Sequence, residues 1–238
     1  MVAGTVGAVN AQRHPSDPVR QFEGEFEIHL TLAPRSGRDS QEPIRDWAER
    51  HGLKYTRIVL DRGRTPDQPM LTCRGAGTLT GQVAAAHRWA ARLRGDGFHV
   101  TRVKIEAAPW NSGVPRTEAE AAVLPAHCYF EHHVKLLLPT EQQIAAVRAL
   151  AEPHAAHVSR NARRAASDGA HERFVTQRCR AVGRPEARRR LDALLQALSE
   201  AACTVMEVEE EFVVHDDNPA VDAGWIAGDD GEAVPRVA

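Results

Sequence analysis

His29 and Thr31 stand two residues apart in the run Phe26-Glu27-Ile28-His29-Leu30-Thr31-Leu32. If that run is a strand, both side chains leave the same face, roughly 7 Å apart along the chain. An imidazole so placed can move a proton while the hydroxyl holds a phosphate oxygen. The run returns as Phe130-Glu131-His132-His133-Val134-Lys135-Leu136, with Phe130 following Phe26 and His133 following His29 by 104 residues. Two histidines can serve as base and acid in phosphodiester cleavage, which makes His29 and His133 the candidate catalytic pair. Lys135 stands where Thr31 would recur, and it too can hold phosphate, as a point charge.

The echo continues. Thr56-Arg57 is matched by Ser159-Arg160, Met70-Leu71-Thr72-Cys73-Arg74 by Phe174-Val175-Thr176-Gln177-Arg178, and Val103-Lys104-Ile105-Glu106 by Val208-Glu209-Glu210-Glu211. Matches in one order mean two copies of a structural unit. They also add Arg57, Arg74, Arg160 and Arg178 to Thr31 and Lys135 as candidate substrate contacts, because paired arginines suit bidentate capture of phosphate or carboxylate. The same arginines could instead pair with Glu27, Glu131 and the acidic strand near Glu211.

Each copy has one rhythm of elements. In the first, 25–32 alternates as a strand, 43–51 is a short helix opened by proline, and 53–60 and 69–74 are strands. A helix at 80–94 and a strand at 98–107 complete the copy, and the glycine-rich 74–78 reads as a strand-to-helix turn. The second copy repeats this with strands at 129–138, near 156–163, at 172–180 and at 204–214. Its helices begin at Thr140, where Thr140-Glu141-Gln142-Gln143 forms a capping box, and at Pro185. The order β-α-β-β-α-β is that of a ferredoxin-like unit. The expected fold is α+β, with two tandem ferredoxin-like repeats at 25–107 and 127–214 related by a pseudo-twofold. A segment at 1–24 expected to be disordered, a linker at 108–126 and a tail at 215–238 surround them.

In such a unit the helices cover one sheet face. Phe26, Ile28 and Leu30 belong beneath them, so Glu27, His29 and Thr31 take the uncovered face, as do Arg102, Lys104 and Glu106. The corresponding set is Glu131, His133 and Lys135 with Glu207, Glu209 and Glu211. These polar faces either stay solvated, enclose a cleft between the copies, or pair with each other, Arg102 and Lys104 facing Glu207 and Glu209. Trp47, Val83, Leu93, Val103, Ile144, Leu191, Leu194 and Val208 are expected in the cores.

The two His-x-Thr-like motifs and the bilobal plan resemble the two-histidine phosphoesterase family, the cyclic phosphodiesterase and RNA-ligase-like proteins. His29, Thr31 and His133 match the family pattern, and Lys135 departs from it. The resemblance implies catalysis by both histidines on a small phosphorylated or cyclic-phosphate substrate between the lobes. The alternative is a non-catalytic module of the same fold that binds a small anion or a protein.

Bulk properties narrow the field without choosing. With 238 residues, 26% charged, and a net charge of −2, the chain offers no bulk case for nucleic acid or an anionic membrane. No apolar run reaches the length of a membrane span, and a cytoplasmic location is expected. The four cysteines lack paired spacing, which argues against a thiolate metal site. His215, Asp216, Asp217 and Asp222 are dense in possible ligands, but their spacing is not that of an EF-hand and reads as a solvated loop, and Ala223-Gly224-Trp225-Ile226 is expected to dock this tail back on the body through Trp225. No cofactor and no metal are expected; the expected partner is a small anionic ligand.

Overall fold

The structure, a computed structural model, describes residues 21–34, 41–162 and 171–225. Most of the expected N-terminal disordered segment, and the tail beyond 225, lie outside the described residues. The protein is α+β. Its first half runs β1 (Glu23–Leu32), α1 (Glu42–Arg50), β2 (Lys54–Leu60), β3 (Asp67–Thr78), α2 (Leu79–Gly95) and β4 (Val100–Ala107). A short α3 (Glu118–Ala122) lies in the connection. The second half runs β5 (Tyr129–Leu138), α4 (Glu141–Ala151), β6 (Ala156–Asn161), β7 (His171–Arg180), α5 (Arg184–Glu200) and β8 (Thr204–Asp216).

Both halves pair their strands alike. β1 lies between β3 and β4, with β2 outside β3. β5 lies between β7 and β8, with β6 outside β7. Each half therefore ends in two open edges, and unpaired backbone donors and acceptors are costly there. The halves close those edges on each other: β2 pairs with β6, and β4 with β8. The result is one closed eight-stranded antiparallel barrel in the order β1-β3-β2-β6-β7-β5-β8-β4. A barrel of this size has an interior just wide enough for side chains to fill.

The helices lie outside, and the apolar strand faces turn toward them. Ile28, Leu30 and Ile105 pack with Trp47 and Leu93 in one core. Val134 and Leu136 pack with Ile144, Leu191, Leu194 and Leu198 in another. The stripe at 187, 191, 194 and 198 on α5 is the helical period that makes this possible. Thr140 caps α4, its hydroxyl accepting the Gln143 N–H at 3.2 Å. Thr140→Ala is expected to cost about 1 kcal/mol, read as a lowered urea midpoint.

Four expectations are corrected. Residues 75–78 continue β3 instead of turning, because Phe26, Glu25, Gly24 and Glu23 of β1 pair with them. Val83 is only partly buried, and Val208 is 38% exposed. Arg102 and Lys104 do not meet Glu207 and Glu209, since the β4–β8 register sets Lys104 opposite Asp216. The 215–222 stretch is no solvated loop: β8 runs to Asp216, and Asp222 is buried, whereas Trp225 docks on the body as expected, against Leu60. Among the described residues, no helix is long and apolar enough to cross a membrane.

Candidate functional site

Closure turns both polar faces into the barrel interior. On β1 the alternation that buries Ile28 and Leu30 under helices sends Glu27, His29 and Thr31 inward. The register then supplies their neighbours: His29 lies opposite Thr72 on β3 and Lys104 on β4, and Glu27 lies opposite Glu106. On β5, His133 lies opposite Thr176 on β7 and Glu209 on β8, and Glu131 lies opposite Arg178 and Glu211.

One arrangement occurs twice. His29 Nδ1 is hydrogen-bonded to the Thr72 hydroxyl at 2.8 Å, and His133 Nδ1 to the Thr176 hydroxyl at 3.0 Å. Each ring is thereby oriented with Nε2 toward carboxylates. His29 Nε2 is 2.5 Å from Glu106 and 3.9 Å from Glu27. His133 Nε2 is 3.4 Å from both Glu131 and Glu211. The Glu27–Arg74 pair at 2.7 Å is likewise echoed by Glu131–Arg178 at 3.1 Å. The donor atoms of Glu27, His29 and Glu211 lie within 4.8 Å of one another, as do those of Glu106, His133 and Glu211. The two sets share Glu211.

Deeper in the barrel the ion pairs form a chain. Lys104 Nζ sits 2.6 Å from Glu106 and 2.9 Å from Glu131. Arg178 continues from Glu131 to Asp222 at 2.6 Å. Arg102 bonds Asp222 at 2.9 Å and holds Asp216 in a two-pronged pair. Trp225 closes this region by packing on Leu60 and donating its indole N–H to the Val158 carbonyl at 3.2 Å. Side-chain exposure rises from 2% at Glu106 and Glu131 to 23% at His133 and Glu27 and 81% at Arg74, so the histidine end approaches solvent.

Six carboxylates (Glu27, Glu106, Glu131, Glu211, Asp216, Asp222) meet four permanent cations (Arg74, Arg102, Lys104, Arg178) in these contacts. The deficit is two positive charges, the number two protonated imidazoles supply. Proton affinities follow. Burial alone would lower His133, but the Glu211 hydrogen bond and the nearby Glu131 raise it to about 9. Burial lowers and Glu106 raises His29, with a net upward shift. Burial and the neighbouring Glu106 push Glu211 up to about 7. Glu131, though buried, is held down at about 2 by Lys104 and Arg178.

The expected site residues divide. His29, His133, Arg74 and Arg178 come together with the glutamates. Thr31 is buried on the same face as His29. Lys135 pairs with Glu172 at 3.3 Å. Arg57 is bound two-pronged to Asp67 at 2.8 and 2.7 Å, on the strand face where Tyr55 packs toward the helices. Arg160 is exposed. Neither belongs to the site. Thr72 and Thr176 do belong, and their signal was present: they occupy equivalent places in the matched segments ending at Arg74 and Arg178. His132 faces the other way, toward Gln177.

No protein-family model matches this sequence, and no curated protein matches it. Among solved structures, the acetolactate synthase small subunit of Thermotoga maritima is similar at a TM-score of 0.30 and 13% identity, over 80% of this chain and 94% of that one. Protein BT0572 of Bacteroides thetaiotaomicron is similar at 0.30 and 10% identity, over 78% and 93%. Likeness of that degree says nothing about chemistry.

Proposed function

We propose that the chain is a pair of tandem ferredoxin-like repeats, related by a pseudo-twofold, that binds a divalent cation in the barrel they share. The carrying observation is the twice-occurring Thr–His–Glu arrangement, which aims Nε2 of His29 and of His133 at carboxylates that include the shared Glu211. A hydrogen bond at one ring nitrogen that orients the other is how proteins present imidazole to a metal. Two ligands on a tetrahedral ion at about 2.1 Å stand about 3.4 Å apart, and His133 Nε2 stands 3.4 Å from Glu211, one of the two carboxylates grouped with it. The shorter His29–Glu106 contact would open on uptake. Mixed nitrogen and oxygen donors suit Zn²⁺ or Mn²⁺. A divalent ion also supplies the two charges that the permanent cations lack.

Phosphodiester cleavage by the two histidines has weaker support. A phosphate at either imidazole would meet Glu27, Glu106, Glu131 and Glu211 at close range, and like charges repel strongly where water is scarce. A second reading, a purely structural ion network, is favoured by Lys104, whose ammonium donates to Glu131 and pairs with Glu106.

Calorimetric titration of chelator-treated protein with Zn²⁺ and Mn²⁺ separates these readings. Saturable binding is expected, weakened at least about 100-fold in His29→Ala and His133→Ala that remain folded by circular dichroism. Absence of binding, or equal binding by the variants, leaves the structural network. Hydrolysis of 2′,3′-cyclic nucleotides by metal-free wild type, lost in both variants, would restore the phosphodiester reading.

A further inference from the structure

We propose that the outer edge of β8, residues 204–211, is a docking strand for an extended basic segment of another protein. β8 pairs with β5 from Thr204 to Val213, but with β4 only from Phe212 onward. Among the described residues, no strand lies along the other side of 204–211. Such an edge presents backbone donors and acceptors that can template an added strand.

The corresponding edge in the first half is treated differently. Beyond its pairing with β8, β4 is covered by the segment after β8. Asp217 N–H donates to the Val103 carbonyl at 3.2 Å, the Asp217 carboxylate accepts the Val103 N–H at 2.7 Å, and the Asn218 amide donates to the Thr101 carbonyl at 2.8 Å. Val103 is accordingly 4% exposed, while Val208, its counterpart in the matched segments, is 38% exposed. Val205 and Met206 are exposed beside it, at 38% and 56%. One half thus covers this edge and its apolar side chains, and the other leaves both in the open.

Charge decides the occupant. Glu207 and Glu209 are exposed on the same stretch; Glu210 beyond them is already paired with Arg188 at 2.9 Å. Antiparallel pairing with a second copy of β8 would set glutamates against glutamates, which destabilises cross-strand pairs. A strand alternating Lys or Arg with Val or Thr would oppose glutamate with cation and cover Val205 and Val208. An edge that is acidic only to discourage aggregation is the competing explanation.

Three labelled ten-residue peptides, alternating Lys-Val, Lys-Pro and Glu-Val, test this by fluorescence anisotropy with the whole chain. The Lys-Pro peptide carries the same charge but lacks the N–H groups a ladder needs. Saturable binding of Lys-Val is expected, with Lys-Pro at least tenfold weaker and Glu-Val absent. In Met206→Lys/Glu207→Lys, which leaves the histidine site untouched, Lys-Val binding should drop at least tenfold while the melting temperature holds. Equal binding of Lys-Val and Lys-Pro, no saturable binding, or an unaffected double variant would each overturn the proposal.

Discussion

Asp222→Ala should cost about 3 kcal/mol of stability, far more than a typical change near a chain's end. Asp222 is buried, and one carboxylate oxygen accepts from both Arg102 at 2.9 Å and Arg178 at 2.6 Å, while the other accepts from Gln68 at 3.1 Å. Burial by itself would raise this carboxyl; the two guanidinium groups outweigh it and hold the group well below the usual range. The mutation leaves two buried arginines with one carboxylate fewer between them. Arg102 keeps Asp216, and Arg178 keeps Glu131, which limits the loss. The contrast is Arg188→Ala on α5, whose own side chain and partner Asp192 are more than half exposed and whose second partner, Glu210, is 25% exposed; it should cost under about 1 kcal/mol. Urea unfolding of both variants at neutral pH measures the difference. An unchanged midpoint for Asp222→Ala would mean that the closing segment contributes nothing to the barrel.

The second large effect is on pH. A histidine raised in the folded state contributes stability below its unfolded value, near 6.5, and loses it as pH rises through the folded value. For His133, raised to about 9, that window is pH 6.5 to 9 and the loss is roughly 3 kcal/mol. Glu211, raised to about 7, acts in the same direction: its contribution is full below about 4.5 and declines as pH rises through 7. Glu131, lowered to about 2, contributes above its unfolded value and loses that as pH falls toward 2. Metal-free protein should therefore be most stable near pH 5 and weaken progressively toward pH 9. His133→Gln should flatten the alkaline limb and spare the acid one. Denaturation midpoints at pH 3, 5, 7 and 9 in chelator decide this, and a midpoint that holds or rises from 5 to 9 contradicts it.

Much of the candidate site is legible in local pattern. Alternation in the two echoing strands sorts Glu27, His29 and Thr31 from Ile28 and Leu30, and Glu131 and His133 from Phe130 and Val134. That works because successive side chains of a strand point to opposite faces, a property of the backbone alone. The constant offset makes His29 and His133 equivalent, and it marks Thr72 and Thr176 for anyone who asks what stands opposite them. The Thr140 cap and the α5 stripe are legible for the same reason: caps and periods are local.

Arg57 and Arg160 show where local pattern stops. Their matched positions suggested a shared role, but Arg57 faces outward to Asp67, and Arg160 is exposed. Asp222 shows the opposite failure: in an acidic, aspartate-dense stretch nothing local distinguishes it from the exposed Asp217. Its burial depends on Arg102 and Arg178, 120 and 44 residues away in the chain.

Alternation and the 104-residue offset sort the side chains of β1 and β5 by face and match His29 with His133. What those faces meet follows from long-range pairing. It rests on the β2–β6 and β4–β8 pairings, whose register joins residues about a hundred apart and is written in no local pattern. Once the edges pair, both polar faces turn into a confined interior where each carboxylate needs a cation, a proton or a hydrogen-bond donor. Closure thereby sets two histidines, which could equally have stood in water, against Glu106 and Glu211.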